Sequence, residues 1–134
     1  MTLAPFYAAT PFIKVHILAA LTVATLTPFQ FWGFRKGSLA HRTTGYIWLG
    51  AMLVVAISSF CIHSSGVPVR IGPYSVIHLL SVLALVSIWQ AIRFARAGNI
   101  TGHRKTLIYL AIGFWIAGAF TLAPERIMGR IVFG

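Results

Sequence analysis

Four apolar stretches, running roughly from Pro11 to Phe34, Thr44 to Ile62, Tyr74 to Phe94 and Leu107 to Leu122, leave little of the 134-residue chain outside them. Each has about the 20 residues that an α-helix needs to cross the hydrocarbon core of a bilayer. In that core every backbone N–H and C=O must be satisfied within the segment, so segments of this kind are helices. Composition agrees, with 58% of residues hydrophobic and 9% charged. The expectation is an all-α integral membrane protein: one domain over 1–134, a bundle of four transmembrane helices with both termini on the same side. The opening segment MTLAPFYAATPFIK has no early positive charge, and the apolar run after Lys14 is as long as a span, so it reads as the first helix and not as a signal peptide.

Cations set the orientation. The first and third connections carry Arg35, Lys36, Arg42, Arg93, Arg96, Arg104 and Lys105, against Lys14, Arg70, Arg126 and Arg130 at the other end. Positive charge stays inside, which places those two connections in the cytoplasm and both termini in the periplasm of a cell inner membrane. The net charge of +10 sits at span ends, so the expected partners are membrane lipids with anionic headgroups, and no nucleic acid. Trp32, Tyr46, Tyr74 and Tyr109 lie near the boundaries, as interfacial aromatic anchors do. The single cysteine, Cys61, has no partner for an internal disulfide and reads as a small buried residue.

Sliding the chain along itself by 62 residues brings His16 onto His78, Leu18 onto Leu80, His41 onto His103, Arg42 onto Arg104 and Thr44 onto Thr106. With one inserted residue near Thr101, RKGSLAHR also aligns with RAGNITGHR. The chain reads as two repeated helical hairpins, about 12–62 and 74–124, whose parallel topology puts equivalent residues at equal depth. His16 and His78 then form one pair near the outer side, and His41 and His103 a second on the cytoplasmic side. Within a repeat the two histidines are separated by roughly 25 to 30 Å along the helix axes at 1.5 Å per residue.

Two imidazoles at one depth, twice, suit the axial ligation of haem b, whose apolar macrocycle fills space between helices. Arg42 and Arg104 follow the inner histidines and would meet its propionates, with Lys14 or Arg70 on the outer side. Small residues near the ligands, Ala19, Ala20, Ser81 and Gly45, would leave room for a flat ring. The bland alternative is that boundary histidines bond to headgroups or neighbouring helices. His63 has no counterpart in the second repeat and reads as an interfacial residue, although with His16 and His78 on the same side it could complete a three-histidine copper or zinc site.

A four-helix core with histidine pairs near opposite sides resembles the transmembrane dihaem cytochrome b superfamily. That resemblance implies bis-histidine haems, one or two, at His16 with His78 and at His41 with His103, passing electrons across the bilayer. More closely, HRTTGYIW together with IHLLSVLALVSIWQAIRFARAGNITGHRKTLIYL is similar to a family of small bacterial predicted membrane proteins of unknown function. The superfamily's ligands lie well inside their helices, whereas His41 and His103 follow the turns by a few residues, unless the helices begin near Ser38 and Ile100.

Other chemistry is poorly served, because Glu125 is the single acidic residue and no carboxylate pair or hydrolytic triad is possible. Three readings follow. The first is a b-type cytochrome exchanging electrons with quinol or another redox protein. The second is a non-catalytic subunit or assembly factor of a larger respiratory or photosynthetic complex, or a homo-oligomer. The third is a transporter or metal-binding permease using His16, His63 and His78, awkward in the absence of any mid-membrane acid.

Overall fold

Two turns of nearly identical construction launch two of the long helices. In the first, Gly37 sits at φ +80°, and Ser38 then accepts a hydrogen bond from His41 N–H at 3.2 Å through its side chain, capping α3 (Leu39–Phe60). In the second, Gly98 sits at φ +75°, and the Asn99 side chain accepts from Gly102 N–H at 2.9 Å, capping α5 (Ile100–Thr121). Left-handed backbone of this kind strongly favours glycine. Ahead of Gly98, Asn99 N–H bonds Phe94 O at 2.9 Å and Gly98 N–H bonds Ala95 O at 3.3 Å, the double closure of a Schellman motif ending α4 (Val76–Arg96). The two turns correspond at an offset of 61 residues, one fewer than the histidines.

The computed structural model describes residues 1–61, 70–71, 74–123 and 126–134, without the side chains of 70–77. His63 and Glu125 lie outside the described residues, as do the side chains of Arg70 and Tyr74. A short α1 (Ala4–Tyr7) precedes α2 (Pro11–Pro28), which continues as a π-helical turn over Phe29–Gly33. After α3, a two-residue ribbon pairs β1 (Arg70–Ile71) antiparallel with β2 (Tyr74–Ser75), in the register Arg70 to Ser75. The described chain ends in α6 (Ile127–Phe133).

Among the described residues, three helical segments are long and apolar enough to cross a membrane: Pro11–Gly33, Leu39–Phe60 and His78–Arg96. The fourth long helix, α5, has 22 residues like α3, but its first two turns carry His103, Arg104 and Lys105. Helices also begin earlier than the apolar runs suggest. α3 starts at Leu39 and not Thr44, and α5 at Ile100 and not Leu107, because the caps at Ser38 and Asn99 fix the helix starts while hydropathy marks where lipid begins.

The buried cluster draws on all four long helices: Val23 from α2, Trp48 and Met52 from α3, Ile88 from α4, and Leu110 and Ala111 from α5. Lipid is as apolar as these side chains, so dispersion and a few polar contacts hold such a bundle together more than the hydrophobic effect does. Trp48, 1% exposed, is the central one, and its indole N–H donates to Thr27 Oγ1 at 3.0 Å. The α2 hydroxyls are satisfied in turn, Thr22, Thr25 and Thr27 donating to the carbonyls four residues back. Large apolar side chains such as Leu21, Ile57, Leu83 and Ile116 face outward. Trp32 is exposed in the π-helical turn after α2, whereas Tyr46 and Tyr109 are exposed well inside α3 and α5, Tyr109 near the middle of its helix and not at the boundary expected of an anchor. Cys61, expected to be buried, is exposed, because it follows the last turn of α3 as its C-cap.

The two ends of the chain meet. α1 packs against α6, and Thr2 N–H donates to Ile131 O at 3.2 Å. Gly129 is buried against the backbone of Leu122 and Ala123, in a gap that admits no Cβ.

A histidine cavity at the turn end of the bundle

Pro28 shapes the site although it is not part of it. It has no N–H to give to the carbonyl of Ala24, and its ring crowds that carbonyl, so the helix widens after it. The widened turn is closed by Phe34 N–H bonding to Phe29 O, five residues back, at 2.9 Å. One consequence is that Gln30, a polar residue within an apolar run, faces inward and is buried. The Lys36 ammonium returns to cap this turn, donating to Gln30 O at 2.5 Å and Phe31 O at 2.8 Å. Burial, and after it repulsion from Arg104, holds the Lys36 ammonium below its ordinary pKa.

Gln30 meets α3 at His41. Its amide nitrogen donates to His41 O at 2.9 Å and lies 3.1 Å from His41 Nδ1, while its amide oxygen accepts from Thr44 Oγ1 at 2.7 Å. The His41 carbonyl only accepts, and this assigns the amide: NH2 toward His41, oxygen toward Thr44. His41 Nδ1 is therefore an acceptor, and the ring proton sits on Nε2. Gly45 permits the approach, since a Cβ there would lie 2.9 Å from the Gln30 amide nitrogen. The space foreseen beside Gly45 for a flat ring is partly taken by this side chain.

His103 is held differently. Its Nδ1 lies 2.8 Å from Ala91 O on α4. A carbonyl accepts only, so Nδ1 carries a proton, and in the neutral ring the lone pair is then on Nε2. The difference from His41 follows from the turn offset. Counted from the caps, His41 is the third residue of α3 and His103 the fourth of α5, and one residue turns a helical side chain by about 100°.

Both rings nonetheless border one cavity of about 420 Å³. Apolar walls come from Phe31, Trp48, Leu49, Ile92 and Leu107, and polar ones from Gln30, Tyr46, Arg42 and Arg96. The volume lies within the range of small-molecule and cofactor sites, about 300 to 1,000 Å³. Of the two arginines read as propionate partners, Arg42 borders the cavity. Arg104 borders a separate depression of about 360 Å³ with Ile100, Thr101, Lys105 and Ile108, and Arg96 stands at the cavity in its place. Arg96 and Gln30 are the site residues that sequence reasoning missed. The signal for Gln30 was a lone polar residue two positions after an intrahelical proline.

The other two histidines sit at the far end of the bundle, on either side of α3. His16 Nδ1 is 2.8 Å from Ser58 Oγ. The Ser58 hydroxyl is itself 2.6 Å from Val54 O and donates there, so His16 Nδ1–H is the donor to Ser58. His78 is buried, its ring centroid 5.6 Å from that of Phe60. Ser59 and Ser81 bond between α3 and α4 close by.

A family model of predicted membrane proteins, DUF2306, matches residues 13–133. The chain belongs to that family. The DUF2306 match takes in all five histidines, Pro28, Gln30 and both capped turns, so the whole cavity lies inside the family's domain. No curated protein and no solved structure is significantly similar to this DUF2306 chain.

The donor set at the cavity suits haem. His103 offers a lone pair in the neutral tautomer that ligates iron, with its other nitrogen fixed by a carbonyl as axial histidines commonly are. His41 could complete such a pair only with its ring proton on Nδ1, and Arg42 and Arg96 at the cavity are cations that could meet propionates.

Proposed function

We propose that this protein is a small b-type cytochrome of the inner membrane that passes electrons through the bilayer. The observation that carries the reading is that His41 and His103, from different helices and at neighbouring depths below two matching turns, border one apolar-walled cavity with Arg42 and Arg96 beside them. Haem bound there would supply one-electron chemistry. The chain's own part is to ligate through His103 and His41, to pair Arg42 and Arg96 with the carboxylates, and to keep water out with Trp48 and its neighbours. His16 and His78 are the candidate ligands of a second haem.

Four spans, formed by two repeated hairpins, are part of this proposal. Two features support α5 as the fourth crossing. Its face bears Tyr109, Ile112, Ile116 and Phe120, all exposed, as a lipid-facing stripe would be. The contact of α1 with α6 also joins the two ends of the chain, as an even number of crossings would. The excess of positive charge at the turn end supports a cytoplasmic side for that end and the cavity, with both termini periplasmic. Redox partners would be quinol or another redox protein, and anionic lipids would surround the turns.

A second reading has its own support. The exposed aromatics Trp89, Trp115 and Phe120 would equally meet other subunits, making the chain a non-catalytic part or assembly factor of a larger respiratory or photosynthetic complex.

The reduced-minus-oxidised spectrum of the purified protein in detergent separates these readings, with pyridine haemochrome quantification. A b-type spectrum that His103→Ala abolishes or halves supports the cytochrome. Colourless protein that does not take up added haem overturns it and favours the subunit.

A further inference from the structure

We propose that Gln30 is the positioning residue that decides whether His41 ligates, by turning its side-chain amide. The inference rests on the cytochrome reading for its biological meaning, but its physical content concerns only residues of this chain.

The groups around the amide allow two orientations. In the one described above, NH2 donates to His41 O and to His41 Nδ1, and Oε1 accepts from Thr44. His41 then turns an Nε2–H toward its surroundings, a hydrogen-bond donor with no lone pair for iron. Turned by 180°, the amide would place Oε1 where it accepts from His41 Nδ1–H and NH2 where it donates to Thr44 Oγ1. Thr44 is already placed for this exchange, because its hydroxyl lies 2.5 Å from Ala40 O and can donate there in place of Gln30. The cost of the turned state is the lost bond to His41 O, which would face an amide oxygen. Its gain is a free Nε2 lone pair on His41.

The resting network therefore holds His41 in the tautomer that does not bind metal, while His103, fixed by Ala91 O, stays in the one that does. In this geometry His103 would be ready to hold the iron as it stands, and His41 would be ready only once the Gln30 amide had turned. No proton enters or leaves; the neutral ring exchanges Nε2–H for Nδ1–H. Gly45 and the π-helical turn exist in this account to bring the amide within reach of the ring.

The test uses the full-length protein, labelled with ¹⁵N-histidine and free of haem in detergent, so its outcome is independent of whether haem binds. Ring ¹⁵N shifts distinguish the two tautomers, and His41→Gln identifies the resonance. Wild type is expected to show His41 as the Nε2–H form. Gln30→Glu, whose carboxylate only accepts, should convert it to the Nδ1–H form. Gln30→Leu, which bonds to neither nitrogen, should leave a mixture. In protein titrated with haem, Gln30→Leu, with His41 no longer held in the non-ligating tautomer, should bind at least as tightly as wild type. An unchanged Nε2–H tautomer in Gln30→Glu, or a wild type already in the Nδ1–H form, overturns the inference. Failure of every variant to take up haem while the tautomer responds as expected would overturn the cytochrome reading and leave the Gln30 inference standing.

Discussion

The bond from the Trp48 indole to Thr27 crosses between α3 and α2 at the centre of the bundle, and its worth can be predicted. Trp48 is 1% exposed and Thr27 is buried, so neither group reaches an alternative partner without unpacking. The Thr27 hydroxyl donates to Val23 O at 2.6 Å, which leaves its oxygen free to accept the indole N–H at 3.0 Å. In water a buried acceptor left alone costs about 1 to 3 kcal/mol. Within a bilayer the separated helices find other partners, and measured interhelical couplings average about 0.6 kcal/mol with a maximum near 1.7. Trp48→Phe should then destabilise by roughly 1 to 3 kcal/mol, most of it lost packing, and Thr27→Val by less. The coupling between the two should be about 0.6 kcal/mol, near threefold in the unfolding equilibrium. The assay is a double-mutant cycle, unfolding the protein from mild micelles with increasing SDS and following helicity. Additive losses within about 0.3 kcal/mol would show that the contact contributes nothing, and would refute the placing of Trp48 as the polar link of the core.

Other consequences are as direct. Gly37→Ala and Gly98→Ala force a Cβ into left-handed backbone and should each cost about 1 to 2 kcal/mol in the same unfolding assay, whereas Gly50→Ala, with open space beside it, should be neutral or stabilising. Ser38→Ala removes the cap of α3 and should cost about 1 kcal/mol. Pro28→Ala restores a regular turn and rotates Gln30 away from His41, detectable as a shift of the His41 ring ¹⁵N resonances with little loss of helicity. Cys61, exposed and the chain's single cysteine, should react with a membrane-impermeant maleimide from the periplasmic side, and a cysteine placed at Lys36 in a Cys61→Ser background should not; the reverse pattern would invert the orientation.

The membrane class, the long helices and the turns were legible because each rests on local chemistry: runs of apolar residues, Gly37 and Gly98, and the capping side chains of Ser38 and Asn99. The apolar runs alone put the starts of α3 and α5 too late, since each run begins a turn or more inside its helix, and the alternative starts near Ser38 and Ile100 are the ones the caps select. That His41 and His103, which both line one cavity, follow similar turns was visible in the sequence. Their unequal tautomers were not, because those depend on a one-residue difference in register and on Gln30, whose inward aim comes from a proline two residues earlier and from the absence of a side chain at Gly45. Likewise Arg96 displaced Arg104 at the cavity, an outcome of helix rotation that adjacency in sequence conceals. Cys61 was misjudged for a similar reason: the step from α3 into its cap turns the thiol outward.

The meeting of α1 and α6 bears on how the molecule answers mechanical load. Pulled apart by its two ends, the chain would first load the Thr2 to Ile131 bond and the packing around Gly129, before tension reached any long helix. The weakest join thus lies in parallel with the strongest elements, and the bundle is shielded until that clasp gives way. Single-molecule extension should accordingly show a small early yield that Gly129→Ala removes, followed by extraction of helices from both ends at once.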